Sequence, residues 1–127
     1  MVTFFSTPKP FRGLSDIIQR NAIESWLRTC PDAEVILFGD DAGAAEVVRE
    51  LGIRHEPSVE RNEHGTKYLA SLFDHAQEIA GHELVCYVNC DIILTRDFRE
   101  ALERVRIGFP RFLMFGRRWD VDSTQAF

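Results

Sequence analysis

Short apolar runs alternate along the chain with stretches in which apolar residues recur every three or four positions. Four of the runs are rich in β-branched and aromatic residues, which predicts strands over residues 2–5, 34–38, 53–55 and 84–88. Residues 112–115 form a fifth candidate strand. Each of these runs is followed by polar or turn-forming residues, so they are predicted to end as short, separate elements.

Four helices are predicted between the strands. The capping signals are boxes at Asp16/Gln19 and Asp97/Glu100, Thr66 before the third helix, Gly52 at the end of the second helix, and Gly81 at the end of the third. Strands separated by helices need crossover connections, which place parallel strands between layers of helices. We therefore predict an α/β fold, a three-layer α/β/α sandwich with a mostly parallel sheet.

Length and charge narrow the range of functions. A chain of 127 residues suits one domain, taken here as residues 1–127. The net charge of −5 gives no general attraction for nucleic acid, and no apolar run is long enough for a membrane span. The three cysteines are too few for a disulfide framework and lack the spacing of a zinc site, so core thiols in a cytoplasmic protein are expected.

Polar residues follow the predicted strands at the edge where parallel sheets bind ligands. The candidates are Thr7 after the first strand, Asp40 and Asp41 after the second, and Asn89 and Asp91 after the fourth. Asn89 and Asp91 are two positions apart and are expected to face together, while Cys90 faces the core. A carboxylate and an amide oxygen suit Mg²⁺ or Mn²⁺ held jointly with a phosphate. In the structural alternatives, Asp91 only caps a turn and Asp41 only caps the second helix.

Three basic residues are candidates for phosphate contacts. Lys67 stands near the start of the third helix, where the backbone N–H groups already favour anions. Arg117 and Arg118 could grip a diphosphate through paired hydrogen bonds, or could simply be solvated.

These motifs together resemble a known family. An apolar strand runs into Asn89-Cys90-Asp91, much as a strand precedes the Asp-x-Asp element of glycosyltransferases of the GT-A fold, which use nucleotide sugars. The resemblance extends to Ser25-Trp26-Leu27, to residues 36–43, to residues 64–67 and to residues 115–120. It covers nearly the whole chain.

The resemblance implies a function. Asp91 would hold a divalent metal on the diphosphate of a UDP- or GDP-linked sugar, and Asp40 or Asp41 would meet the base or ribose. Asn89 departs from the family pattern, because it replaces the first aspartate and removes one charge. The family normally continues for about another hundred residues that carry the acceptor site. We therefore expect this chain to be the nucleotide-binding half and to transfer no sugar on its own.

Two other classes of protein share features with this sequence. A receiver domain that accepts a phosphoryl group has acidic residues after its strands, but it needs a lysine after its last strand, and both Lys9 and Lys67 precede Asp91. A non-catalytic nucleotide- or partner-binding module is the other alternative.

A homodimer is also expected. Residues 109–115 hold a cluster of apolar side chains that a second copy could cover by pairing with the terminal strand. In the alternative, Arg117, Arg118 and Trp119 fold back over the cluster and leave a monomer.

Overall fold

The computed structural model describes residues 1–120, so the last seven residues of the predicted domain lie outside it. Strands and helices alternate through the described residues. The elements are β1 (Val2–Ser6), α1 (Gly13–Thr29), β2 (Glu34–Phe38), α2 (Ala44–Leu51), β3 (Arg54–Glu56), α3 (Leu69–Ile79), β4 (Leu84–Tyr87) and α4 (Arg96–Gly108). The predicted α/β class is confirmed.

The four strands form one parallel sheet in the order β3-β2-β1-β4. Phe5 at the centre of the sheet is in register with Ile36 of β2 and Tyr87 of β4. The chain first adds strands on one side of β1 and then returns to add β4 on the other side. This reversal is the point at which open parallel sheets form a crevice at their carboxyl edge.

The two faces of the sheet carry separate cores. Phe4 faces the first core, where its ring lies 5.9 Å from Trp26 of α1, and α2 and α4 contribute Val47 and Leu102. Phe5 faces the second core, which α3 covers with Leu72 and Ala76. This two-residue alternation follows from strand geometry. Helices lie on both faces, which is compatible with a three-layer sandwich.

The predicted capping boxes are wrong. The residues before α1 and α4 are Arg12 and Thr95, and neither makes a side-chain capping bond. Gln19 is buried and bonds instead to the backbone of Lys9, because tertiary contact outweighs the local capping motif.

Two further capping predictions fail, and one holds. The residue before α3 is Tyr68 rather than Thr66, and Ala80 rather than Gly81 ends that helix. Gly52 ends α2 with a left-handed φ of 68°, as predicted.

Residues 112–115 form no strand, so the fifth strand prediction is wrong for the described chain. Phe112 and Met114 nevertheless pack against the first core, while Leu113 and Phe115 are 79% and 84% exposed. The alternation of a strand is present, but no neighbouring strand pairs with it.

Candidate functional site

The carboxyl edge of the sheet gathers the chain segments that follow β1, β2 and β4. Ser6 is the last residue of β1 and Thr7 follows it. Asp40 and Asp41 lie beyond the end of β2, and Asp91 lies beyond the end of β4. The Val88 N–H donates to the Phe5 carbonyl at 3.3 Å, so β1 and β4 stay together up to this edge. The predicted convergence of the strand ends follows from the parallel order.

Lys67 lies at the centre of the contacts on the β2 side. Its Nζ lies 2.5 Å from Asp41 Oδ2 and 3.1 Å from the Pro8 carbonyl oxygen, with the Phe38 carbonyl at 3.5 Å. The Lys67 and Asp41 side chains are only 11% and 14% exposed. Because all three ammonium hydrogens have acceptors, Lys67 joins the loop before α3 to the ends of β1 and β2.

The prediction that Asp41 only caps α2 is wrong. Gly43 precedes α2, and no side chain caps the helix. The Asp41 backbone carbonyl accepts from Ala44, while its carboxylate turns to Lys67. The Asp41 carboxylate pairs with Lys67 instead of capping α2 because the two charges are buried together. Burial of either charge alone would cost free energy.

Gly39 makes this arrangement sterically feasible. Its φ of +122° is one that residues with a side chain rarely adopt. A Cβ at this position would lie 2.6 Å from Lys67 Nζ and 2.7 Å from Asp41 Oδ2. The absence of a side chain therefore leaves room for the ion pair.

The loop over residues 57–68 is more ordered than its sequence predicts. Asn62 Oδ1 accepts the N–H groups of His64 and Thr66 at 2.8 and 3.0 Å, which folds the segment into a tight turn. Arg61 donates to Asp40 Oδ1 at 3.0 Å and to the Gly65 carbonyl at 2.8 Å. Both aspartates after β2 are thus paired with cations from this one loop.

Two hydroxyl groups at the end of β1 have no hydrogen-bond partner within residues 1–120. They are Ser6 Oγ and Thr7 Oγ1, and the Ser6 residue is 1% exposed. The Ser6 hydroxyl lies near the Cys90 thiol but makes no hydrogen bond of ordinary geometry with it. Buried polar groups in proteins are nearly always satisfied, so these hydroxyls have unused capacity to bind a ligand or water.

The turn after β4 has the predicted pattern of exposure. Asn89 and Asp91 are exposed, whereas Cys90 is 5% exposed and burial raises the pKa of its thiol to about 12. The Ile92 N–H donates to the Asn89 carbonyl at 3.0 Å and closes the turn. Among residues 1–120, no group of three or more His, Cys, Asp or Glu residues could hold a metal by itself.

Side chains of α1 fix the position of this turn. Trp26 Nε1 donates to the Ile92 carbonyl at 2.7 Å, and Ser25 Oγ accepts from Leu94 N–H at 2.9 Å. Thr29 donates to the Leu94 carbonyl at 3.1 Å. This anchoring gives a physical role to the Ser25-Trp26-Leu27 motif, which the sequence indicated only by resemblance.

Arg117 and Arg118 are not brought to the carboxyl edge by any described contact. Both are exposed, and Arg118 Nε lies 3.8 Å from Asp120 Oδ1. Phe109 and Phe112 instead line a cleft with Glu83 and Leu84 at the start of β4, at the opposite edge of the sheet.

Several residues of the site were missed by the sequence analysis. Arg61 and Asn62 carried no signal beyond lying in a polar loop, and Ser6 belonged to the predicted turn after the first strand. Gly39 was recognised as part of a motif, but its steric role depends on Lys67, which is far away in sequence. Only the folded chain reveals such a dependence.

No family model matches the chain, and neither the curated proteins nor the solved structures contain a match. In the described part of the chain, no helix combines the length and apolar character needed to cross a membrane.

Proposed function

We propose that this chain binds a nucleoside-diphosphate sugar at the carboxyl edge of its sheet, in the crevice between the ends of β1 and β4. The ligand would be a UDP- or GDP-linked sugar, the donor in a glycosyl transfer reaction of the GT-A type. The proposal rests on the resemblance of the motifs and on the geometry of this edge. The strand order supports it, because the reversal beside β1 is where open parallel sheets bind nucleotides.

The two unpartnered hydroxyls carry the proposal most directly. Ser6 Oγ and Thr7 Oγ1 lie at the carboxyl end of β1, at the reversal point, and both atoms are buried with no hydrogen-bond partner in the part of the chain that the structure describes. Polar groups of the nucleotide can satisfy them, which would repay the free energy lost when they were buried. The exposed carboxylate of Asp40 beside Arg61 is available for the ribose or base, at the same edge.

The residues fit a metal that arrives with the phosphates. Asp91 and Asn89 are the oxygen-bearing side chains of the turn after β4, and both are exposed. Mg²⁺ characteristically takes one or two protein carboxylates and completes its shell with water and substrate phosphates. Asp91 would therefore hold Mg²⁺ or Mn²⁺, with Asn89 beside it, and the metal would neutralise charge on the diphosphate.

In this proposal Lys67 positions a loop and does not bind the phosphates directly. Its ammonium is already engaged by Asp41 and two backbone carbonyls. It keeps the loop over residues 57–68 in place beside the nucleotide. Arg117 and Arg118 remain candidates for diphosphate contacts only if the segment that carries them moves to the carboxyl edge.

The strand order argues against the receiver-domain alternative. Receiver domains have the order 2-1-3-4-5, in which the third strand lies beside the first. Here β3 lies outside β2, and β4 takes the place beside β1. The non-catalytic binding module uses the same site, and the replacement of an aspartate by Asn89 is the observation that favours it.

Thermal unfolding with nucleotides tests the proposal. A ligand that binds only the folded state raises the melting temperature by mass action. We expect UDP or GDP with Mn²⁺ to raise it by several degrees, and EDTA or Asp91→Ala to abolish the rise. Asp97→Ala is the matched control, since Asp97 is an exposed aspartate in the first turn of α4 and should leave the rise unchanged.

Two outcomes separate the alternatives. Equal stabilisation with and without metal would contradict the role of Asp91. The chain is expected to transfer no sugar on its own, so slow hydrolysis of a sugar-labelled donor is the discriminating readout, and stabilisation without any such hydrolysis would favour the binding module.

A further inference from the structure

Residues 109–119, which we call the arm, leave α4 with an exposed apolar and basic surface. Within the arm, Leu113, Phe115 and Trp119 are 79%, 84% and 90% exposed. The arm also carries three arginines and no carboxylate. The alternative in which Arg117, Arg118 and Trp119 fold back over the apolar cluster is therefore wrong.

Inward- and outward-facing side chains alternate along the arm as they do in a β-strand, but no strand pairs with it in the described chain. Phe112 and Met114 pack against the first core, and Leu113 and Phe115 face outward. In the described chain, no main-chain group from Pro110 to Asp120 has a hydrogen-bond partner. An extended segment with unpaired N–H and C=O groups is a template for strand pairing.

One side of β4 is also unpaired. The strand lies at the end of the sheet and bonds only to β1, so its outer N–H and C=O groups are free of ladder bonds within the described chain. Beside it, Phe73 of α3 is 39% exposed and its ring lies 5.3 Å from that of Tyr87. We call the outer side of β4, with Phe73 and Tyr87, the β4 edge.

The arm and the β4 edge have opposite charge. Glu83 immediately precedes β4, and Asp74, the residue after Phe73, is exposed on α3. In sequence, Arg111 precedes the apolar residues 112–115 of the arm, and Arg117 and Arg118 follow them. Residues 1–108 as a whole hold eighteen carboxylates against twelve lysines and arginines, so the arm differs in sign from the rest of the fold.

We infer that the arm of one chain pairs with the β4 edge of a second copy, and that the exchange is reciprocal in a twofold dimer. Each arm would extend the sheet of the partner copy and cover its apolar edge. Leu113 and Phe115 would lie across from Val85 and Tyr87, while the arginines would meet the acidic residues of α3 and the β4 edge. The same two surfaces are present on both chains, so one twofold axis would satisfy both at once.

The structure favours the β4 edge of a second copy, rather than the β4 edge of the same chain, as the partner of the arm. The arm already lies near the start of its own β4, since Phe109 and Phe112 share a cleft of about 460 Å³ with Glu83 and Leu84. Despite this proximity, no main-chain hydrogen bond joins the arm to β4. Residues 1–120 leave the outward residues of the arm uncovered, and an oppositely charged edge of another copy can cover them.

Light scattering coupled to size exclusion tests the dimer directly, with the chain loaded at about 5 to 200 μM to bracket the low-micromolar range typical of modest interfaces. We expect a dimer at the upper concentrations. The double variant Leu113→Asp/Phe115→Asp should weaken association at least about thirtyfold, because it places carboxylates on the apolar side of the arm. Ile107→Asp is the matched control, since Ile107 is 89% exposed on α4 just before the arm and should not change association.

Charge reversal tests the assigned partner surface. Arg111→Glu with Arg117→Glu should weaken the dimer, as should Asp74→Lys with Glu83→Lys. A mixture of the two variants should associate more tightly than either alone, because the reversed charges again face opposite ones. Higher salt should weaken the wild-type dimer.

Engineered cysteines distinguish pairing of the arm with a second copy from pairing with its own chain. When a Leu113→Cys chain is mixed with a Val85→Cys chain, we expect a disulfide between the two chains. A monomer at the highest concentration, or a dimer unaffected by the arm variants, would overturn the proposal. So would a monomer in which the two cysteines placed in one chain cross-link internally, or a monomer whose arm binds vesicles of anionic phospholipid.

Discussion

The Lys67 ammonium reaches across from the loop before α3 to within 2.5 Å of the Asp41 carboxylate, and both side chains are almost fully buried. The Lys67 ammonium also bonds to the carbonyl of Pro8 and approaches that of Phe38. One side chain therefore connects the ends of β1 and β2 to the loop over residues 57–68. The shape of the carboxyl edge depends on this connection.

Removal of either partner of this ion pair should destabilise the protein. Lys67→Met leaves the Asp41 carboxylate buried without its cation, and we expect a loss of about 3 kcal/mol in the free energy of unfolding. Asp41→Asn should cost a similar amount, and the double variant should cost clearly less than the two single variants added together. Urea unfolding of the four proteins measures this coupling.

Arg96→Met is the control for the ion-pair experiment. Arg96 pairs with Glu100 at 3.9 Å, but its side chain is 86% exposed. Exposed pairs contribute little, so the change should be below about 0.5 kcal/mol. Additive effects of Lys67→Met and Asp41→Asn would show that the two charges do not act as a pair.

Gly39→Ala should be strongly destabilising. The added methyl group would collide with both members of the ion pair, and the φ of +122° is strained for alanine. We expect a loss of about 2 kcal/mol or more in the free energy of unfolding. Gly108→Ala is the control, because a Cβ there meets nothing within 4 Å and no left-handed φ is required. If Gly39→Ala left the free energy of unfolding unchanged, the carboxyl edge of the sheet would be able to rearrange around the added methyl group, which would contradict this prediction.

The sequence predicted the architecture better than the site. Alternation of apolar runs with helical periodicity was enough to place all four strands, because each strand is buried on at least one face. The capping boxes failed because Gln19 bonds to a distant backbone instead of its own helix. A local motif cannot reveal a partner that only the fold brings close.

The same reasoning explains which site residues were predicted. Asp40, Asp41, Asn89 and Asp91 follow strands, and the parallel order alone brings strand ends to one edge. Lys67 was expected at the start of α3, but its pairing with Asp41 joins positions 26 residues apart. Arg61 pairs with Asp40 through a loop whose turn depends on Asn62, and no periodic pattern marks such a loop.

The buried thiols should make stability fall at alkaline pH. Burial raises the pKa of Cys90 to about 12 and that of Cys86 to about 11, whereas a thiol in the unfolded chain has its ordinary value near 9. Above about pH 9 the unfolded state therefore loses protons that the folded state keeps, and the equilibrium moves toward unfolding. Below that pH, neither thiol makes stability depend on pH.

Urea unfolding between pH 8 and pH 11 measures this effect. We expect the free energy of unfolding to fall by up to about 1.4 kcal/mol per pH unit for each thiol that is deprotonated only in the unfolded state. Cys90→Ala should reduce the slope, even if it also lowers stability at every pH by leaving a cavity. An unchanged slope in Cys90→Ala would contradict the assigned burial of the thiol.

The central claim is that Asp91 holds a divalent metal together with the diphosphate of a nucleotide. Isothermal titration calorimetry with UDP and GDP, each with Mn²⁺ and each with EDTA, tests it most directly, with Mn²⁺ alone as a third titration. We predict weak binding of either component alone, tight binding of one nucleotide with the metal, and loss of that synergy in Asp91→Ala. Nucleotide binding that is equally tight in EDTA and in Asp91→Ala, or no binding of either nucleotide under any condition, would contradict the claim.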